Sequence, residues 1–96
     1  MERQQALDIL TRLKSELVSR FGVTRLALFG STIRNEARAD SDIDIMVGFN
    51  SPANAKQYFS VQFLLEDELG LVVDLVTEKA LRAELKSFVE QEAVYV

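Results

Sequence analysis

Leu7, Leu10, Leu13, Leu17 and Phe21 recur at helical spacing, with Glu, Arg and Lys between them. That stripe predicts an amphipathic first helix ending near Gly22. The following "VTRLALF", residues 23–29, predicts a strand buried on at least one face. Gly30-Ser31 breaks it, and "STIRNEA" reads as a short helix with Ser31 at its N-cap. Beyond the polar turn "ARADS", the segment "SDIDIMVGF" alternates with period two. Ile43, Ile45 and Val47 share one face; Asp42, Asp44 and Met46 share the other.

The only proline lies in "NSPAN", a loop at 50–54. A second long helix is predicted over about 55–69, stopping at Gly70. "LVVDLVTE" is the third strand, "KALRAELKSFVEQ" a terminal helix, and "EAVYV" a tail. The predicted order is α-β-α-β-α-β-α, an α/β (α+β) class with a small mixed sheet and helices packed on it. The second and third strands, joined by a helix, are expected to be parallel neighbours through a right-handed crossover. Ninety-six residues suit one domain, 1–96.

Composition narrows the chemistry. The chain has no cysteine and no histidine, which excludes disulfides, thiolate catalysis, Ser-His nucleophiles and zinc sites of the usual kind. Acid–base work falls to carboxylates, lysine or tyrosine. No stretch has the continuous apolar run of a signal peptide or membrane span, so a cytoplasmic protein is expected, with no membrane partner. The net charge of −4 disfavours broad nucleic-acid binding. It does not disfavour a single nucleotide held through divalent cations.

Two aspartates on one strand face repel each other at close range. Asp42 and Asp44 are therefore either a solvent-facing edge that discourages aggregation or ligands of a cation. Asp74, inside "LVVDLV", is costly among apolar neighbours unless it has a job; the alternative is a carboxylate at a frayed strand edge. If the third strand pairs beside the second, Asp74 joins the other two as a set of oxygen ligands suited to magnesium or manganese. Two such metals form a clamp for in-line displacement at phosphorus. Gly30 lets a phosphate approach the backbone because no Cβ intervenes, and Ser31 opens a helix start that favours anions. The plainer alternative is an N-cap serine after a turn glycine.

Gly30-Ser31, ten intervening residues, then Asp42-Ile43-Asp44 resemble the GS–x10–D–x–D signature of the DNA polymerase β-type nucleotidyltransferases. Asp74 looks like that superfamily's third carboxylate. The compactness of the chain is similar to the minimal nucleotidyltransferases, stand-alone catalytic modules encoded beside HEPN-domain partners. The resemblance implies that Gly30 and Ser31 hold a triphosphate and that Asp42 and Asp44 bridge two Mg²⁺ ions, Mn²⁺ being an alternative. Asp74 would ligate the catalytic metal and help deprotonate the acceptor hydroxyl. Asn35 stands where a glycine is common, and tolerates a left-handed backbone; Ala39 stands where proline is common. Neither change removes a metal ligand. Arg34 is either a charge-assisted donor to a terminal phosphate or a solvated surface residue. Lys79, Arg82 and Lys86 fall on the predicted last helix and read as a solvated face.

Larger members of the superfamily carry a second domain that shapes the acceptor site, so a partner is expected to supply it here. On the 55–69 helix, Tyr58, Val61, Leu65 and Leu69 form a stripe that can face the sheet. Phe59 and Phe63 fall on a separate flank and Leu64 on another. Either the helix is covered on most sides by its own domain, or the phenylalanines form a contact patch to which "VYV" can add.

The implied function is transfer of AMP from ATP to a hydroxyl, a tyrosine of a HEPN ribonuclease toxin, with this chain as its antitoxin. One alternative is a binding module that neutralises its partner without catalysis. Another is transfer to a small molecule such as an aminoglycoside, for which a homodimer would help to build the acceptor site.

Overall fold

The computed structural model describes residues 1–38, 40–81 and 83–96, with the backbone alone at 83–86 and 88. Helix α1 (Arg3–Phe21) buries Leu10, Leu13 and Leu17 of the predicted stripe together with Ala6, while Leu7 and Phe21 are partly buried against the same core. It stops where Gly22 adopts a left-handed φ of 70° and its N–H returns to the carbonyls of Leu17 and Val18, a glycine C-cap. Strands β1 (Val23–Phe29) and β2 (Ile43–Phe49) pair antiparallel. Helix α2 (Ala55–Leu69) is capped by Asn54, whose side chain accepts from the Gln57 N–H at 2.7 Å. It leads into β3 (Val73–Thr77), parallel to β2 as expected for a helix crossover.

The sheet order is β3-β2-β1-β4, where β4 (Val94–Tyr95) lies antiparallel to β1. Alternation divides the strand residues between two faces. Leu26, Leu28, Ile43, Ile45, Val47, Val73 and Leu75 point to α1 and α2 and form the main core with Leu10, Leu17, Val61 and Leu65. Burial of each large aliphatic side chain contributes about 1.5–3 kcal/mol. Ala27 and Met46 point the other way and meet Val89 of α3 (Ala83–Glu92) in a smaller cluster. Asp44 and Asp74 share this second, less covered face.

Three expectations change in detail. "STIRNEA" is not a helix: residues 31–35 form a turn, closed by bonds from Arg34 N–H to Gly30 and from Glu36 N–H to Ser31. Asn35, at φ 60°, takes the left-handed conformation that ends a helical turn. The predicted last helix is divided, with a 3₁₀ turn at Glu78–Ala80 ahead of α3. Lys79 thus lies on the 3₁₀ turn, Arg82 lies outside the described residues, and Lys86 is placed by its backbone alone. The tail, finally, is a strand. Its "VYV" pairs at the β1 edge, across the sheet from β3, so it does not extend a patch on α2.

Helix α2 divides its sides much as the stripe predicts. Val61, Leu65 and Leu69 are buried, Leu64 also packs against the core, and Phe59 and Phe63 are 49% and 65% exposed. A polar stripe at 58, 62 and 66 covers the free edge of β3. Tyr58 Oη donates to the Leu75 carbonyl, Gln62 Nε2 to the Val73 carbonyl at 3.2 Å, and the Val73 N–H to Glu66 Oε2 at 2.9 Å. An edge strand that would otherwise offer unpaired groups to another chain is thereby closed.

Candidate active site

Strand register brings the acidic residues together. Asp44 is the β2 partner of Asp74 in the parallel β2–β3 pair, and the partner of Phe29 in the antiparallel β1–β2 pair. Asp74 therefore lies beside Asp44 on one face, although thirty positions separate them in sequence. Asp42 immediately precedes β2 and acts electrostatically on Asp44. Asp42 and Asp74 are exposed, whereas Asp44 is half-buried. Desolvation, then the charge and hydrogen bonding of Asp74 and the charge of Asp42, push the Asp44 carboxyl up to about 6; Arg34 pulls it slightly down.

Gly30 explains why Asp44 can sit where it does. Its φ is +77°, and a Cβ built there would stand 2.1 Å from Asp44 Oδ2. The carboxylate of Asp44 fills the space that a Cβ would occupy. Glycine is needed on two counts, for the left-handed backbone and for the contact. Ser31 follows at the start of the turn, partly exposed. The N–H groups of Arg34, Asn35 and Glu36 are taken up within the turn. Thr32, beside Ser31, is buried with no hydrogen-bond partner for its hydroxyl.

Arg34 is not a free surface side chain. Its Nε pairs with Glu36 at 3.2 Å and its Nη1 with Glu92 at 2.5 Å. The same Glu92 oxygen accepts the Gly30 N–H at 2.8 Å. Glu92 was not singled out by the sequence, because nothing in "EQEAVYV" distinguishes it until β4 pairs with β1 and draws the end of α3 toward Gly30. Arg25 is a second such residue. It lies on the same sheet face, paired with Glu78 at 2.9 Å and stacked on the Tyr95 ring at 4.4 Å.

The carboxylates suit a cation in one clear respect. Among the described residues, none of Asp42, Asp44 and Asp74 is within ion-pair distance of a lysine or arginine. Of their mutual repulsion, only that at Asp44 is eased by a described residue, through the charge of Arg34, and all-oxygen ligands favour Mg²⁺ or Mn²⁺. Among the described residues, no three acidic side chains are drawn into a closed cage for one ion. On this face Asp42 and Asp74 are exposed to solvent. A cavity of about 250 Å³ lies at the opposite ends of β2 and β3, lined by residues including Gly48, Phe49, Thr77 and Lys79, away from the carboxylates.

With this geometry in view, comparison with known proteins is consistent across sequence and structure. Residues 10–96 match the nucleotidyltransferase domain family. The chain is 43% identical to the protein adenylyltransferase MntA of Thermococcus cleftensis, over 93% of this chain and 90% of that protein. A solved structure described as a candidate minimal nucleotidyltransferase superposes with a TM-score of 0.84 at 34% identity, covering 98% of this chain and 95% of the other. A further structure, of a tri-AMPylated Shewanella oneidensis HEPN toxin in complex with its MNT antitoxin, shares the fold. There the TM-score is 0.69 at 20% identity, covering 97% of this chain and 70% of the other. This chain belongs to the nucleotidyltransferase domain family, in its minimal nucleotidyltransferase branch.

Proposed function

We propose that this chain is a single 96-residue catalytic module, a divalent-metal-dependent protein adenylyltransferase working in the cytoplasm. It moves AMP from ATP onto a tyrosine hydroxyl of a HEPN-domain toxin, the new Pα–O bond replacing the one to the departing pyrophosphate, and so acts as the antitoxin. The observation that carries the reading is the pairing of Asp44 with Asp74 on the sheet face beside the Gly30 turn. The MntA relative named above and the fold shared with toxin–antitoxin complexes support it.

In this reading Asp42, Asp44 and Asp74 would together hold two Mg²⁺ ions. When bound, the metals neutralise the triphosphate and make the acceptor hydroxyl easier to deprotonate. Asp74, exposed at the rim, takes up the hydroxyl proton. The amides at Gly30 and Ser31 receive phosphate oxygens, with Arg34 as a charge-assisted donor. Positioning and charge neutralisation are most of what phosphoryl-group chemistry asks of a protein. The acceptor arrives on the partner, which closes the open face. Phe59 and Phe63, exposed and stacked with ring centroids 6.3 Å apart, offer it an apolar anchor.

Incubation with α-labelled ATP, Mg²⁺ and the HEPN-domain partner tests this reading. Label is expected on a partner tyrosine and is lost with Asp42→Asn. Full inhibition of the partner by Asp42→Asn, with no label transferred, would instead establish a non-catalytic binding module. Replacing Phe59 and Phe63 by serine should abolish partner capture and leave stability nearly unchanged.

A further inference from the structure

Two hydrogen-bond donors beside the acidic face converge on one oxygen. The Gly30 N–H reaches Glu92 Oε1 at 2.8 Å and Arg34 Nη1 reaches the same atom at 2.5 Å. A backbone amide and a guanidinium aimed at a single anionic oxygen form the kind of cradle that a non-bridging phosphate oxygen occupies. We propose that Glu92 is a built-in occupant of the nucleotide's phosphate position, and that a bound triphosphate must displace it. The inference rests on the nucleotide site proposed above and adds to it an internal competitor.

Glu92 is not a wandering surface side chain. Its side chain is only 16% exposed, and it ends α3, whose Val89 packs on Ala27 and Met46. Two residues later β4 begins, and Val94 and Tyr95 pair with Leu28 and Ala27. The carboxylate is thus held from both sides, within three positions of the strand end that leads into Gly30. Among the described residues, its hydrogen-bond partners are the Gly30 amide and Arg34. A triphosphate brings several negative charges to those same donors, and two anions cannot share them. Nucleotide affinity is therefore set against the Glu92 contact. If the Glu92-bound arrangement outweighs the open one by about ten to one, apparent affinity falls by about tenfold. Displacement also frees the joint between α3 and β4, so the C-terminal segment reports on whether nucleotide is bound.

The test is calorimetric binding of Mg²⁺–ATP and Mg²⁺–tripolyphosphate to the unaltered chain, to Glu92→Gln and to Glu36→Gln. Glu36 also pairs with Arg34 but does not touch Gly30. Glu92→Gln is expected to bind both ligands about tenfold more tightly, and Glu36→Gln to stay within about twofold. Equal gains in the two variants would reduce the effect to general charge and overturn the proposal, as would unchanged or weaker binding by Glu92→Gln. Binding by none of the three chains would overturn the nucleotide site itself, and this inference with it. A second measurement needs no variant. On titrating tripolyphosphate with Mg²⁺ into the unaltered chain, the NMR signals of the Gly30 amide and the Glu92 carboxyl carbon should move together. A Gly30 amide that shifts while the Glu92 carboxyl stays fixed would contradict displacement.

Discussion

Asp44 is the residue on which the site turns. It touches the space left by Gly30, lies beside Asp74 and feels Asp42. Gly30→Ala would force a Cβ to within 2.1 Å of its Oδ2 at a backbone φ of +77°. The left-handed conformation alone costs an alanine about 1–2 kcal/mol, and the contact adds to it because Asp44 Cγ and Cβ also lie within 2.8 and 3.0 Å of the added carbon. Urea denaturation should show a loss of about 2–3 kcal/mol, together with loss of nucleotide binding. Unchanged stability would mean that Asp44 can move away without cost. Asp44 also gives the protein a pH signature. Its carboxyl is raised from 3.8 to about 6 in the folded state, so the fold binds this proton more tightly than the unfolded chain does. Its effect on metal-free stability is therefore most favourable below pH 4 and is lost as pH rises toward 6. The full difference corresponds to about 3 kcal/mol, and screening of a half-exposed group reduces it to about 1 kcal/mol. Denaturation at pH 4, 5 and 7.5 without metal should show Asp44→Asn gaining relative stability as pH rises. A constant difference across that range would contradict the assignment.

At the scale of elements, the apolar stripes were legible and the polar ones were not. Val61, Leu65 and Leu69 announce the buried side of α2, because burial of aliphatic side chains imposes helical spacing. Tyr58, Gln62 and Glu66 have the same i, i+4, i+8 spacing, yet on the sequence alone the two polar residues read as an ordinary solvated side. Their role exists only once β3 is known to be an edge. Removing the Glu66 acceptor leaves the Val73 N–H unpaired, which should cost about 1–2 kcal/mol. Glu66→Ala should show that loss in denaturant, with faster hydrogen exchange at Val73; slow exchange retained in the variant would rule out the cap. The short helix after Gly30 failed as an expectation because one turn has too few apolar positions to define a period, and Asn35 ends it at once. The strand at Val94–Tyr95 is too short to alternate visibly and is specified by its partner β1.

Across the whole molecule, local spacing carried the site further than composition did. Gly30-Ser31 and Asp42–Asp44 lie close in sequence, so the strand–turn–strand unit could be read directly. The position of Asp74 followed from topology: a helix of about four turns between two strands makes them parallel neighbours, and parallel register then sets Asp74 beside Asp44. Glu92 had no such route, since its approach to Gly30 depends on the C-terminal pairing. The fold arranges one sheet with its main core under α1 and α2, and the opposite face carries carboxylates that make no ion pair among the described residues. Asp42, Asp44 and Asp74 are expected to act together on metal. The most direct test is to count ions bound with a non-hydrolysable ATP analogue, by Mn²⁺ paramagnetic resonance, in the unaltered chain and in Asp74→Asn. Two ions are expected in the former and loss of at least one in the latter. Equal number and affinity in both would contradict a site that includes Asp74.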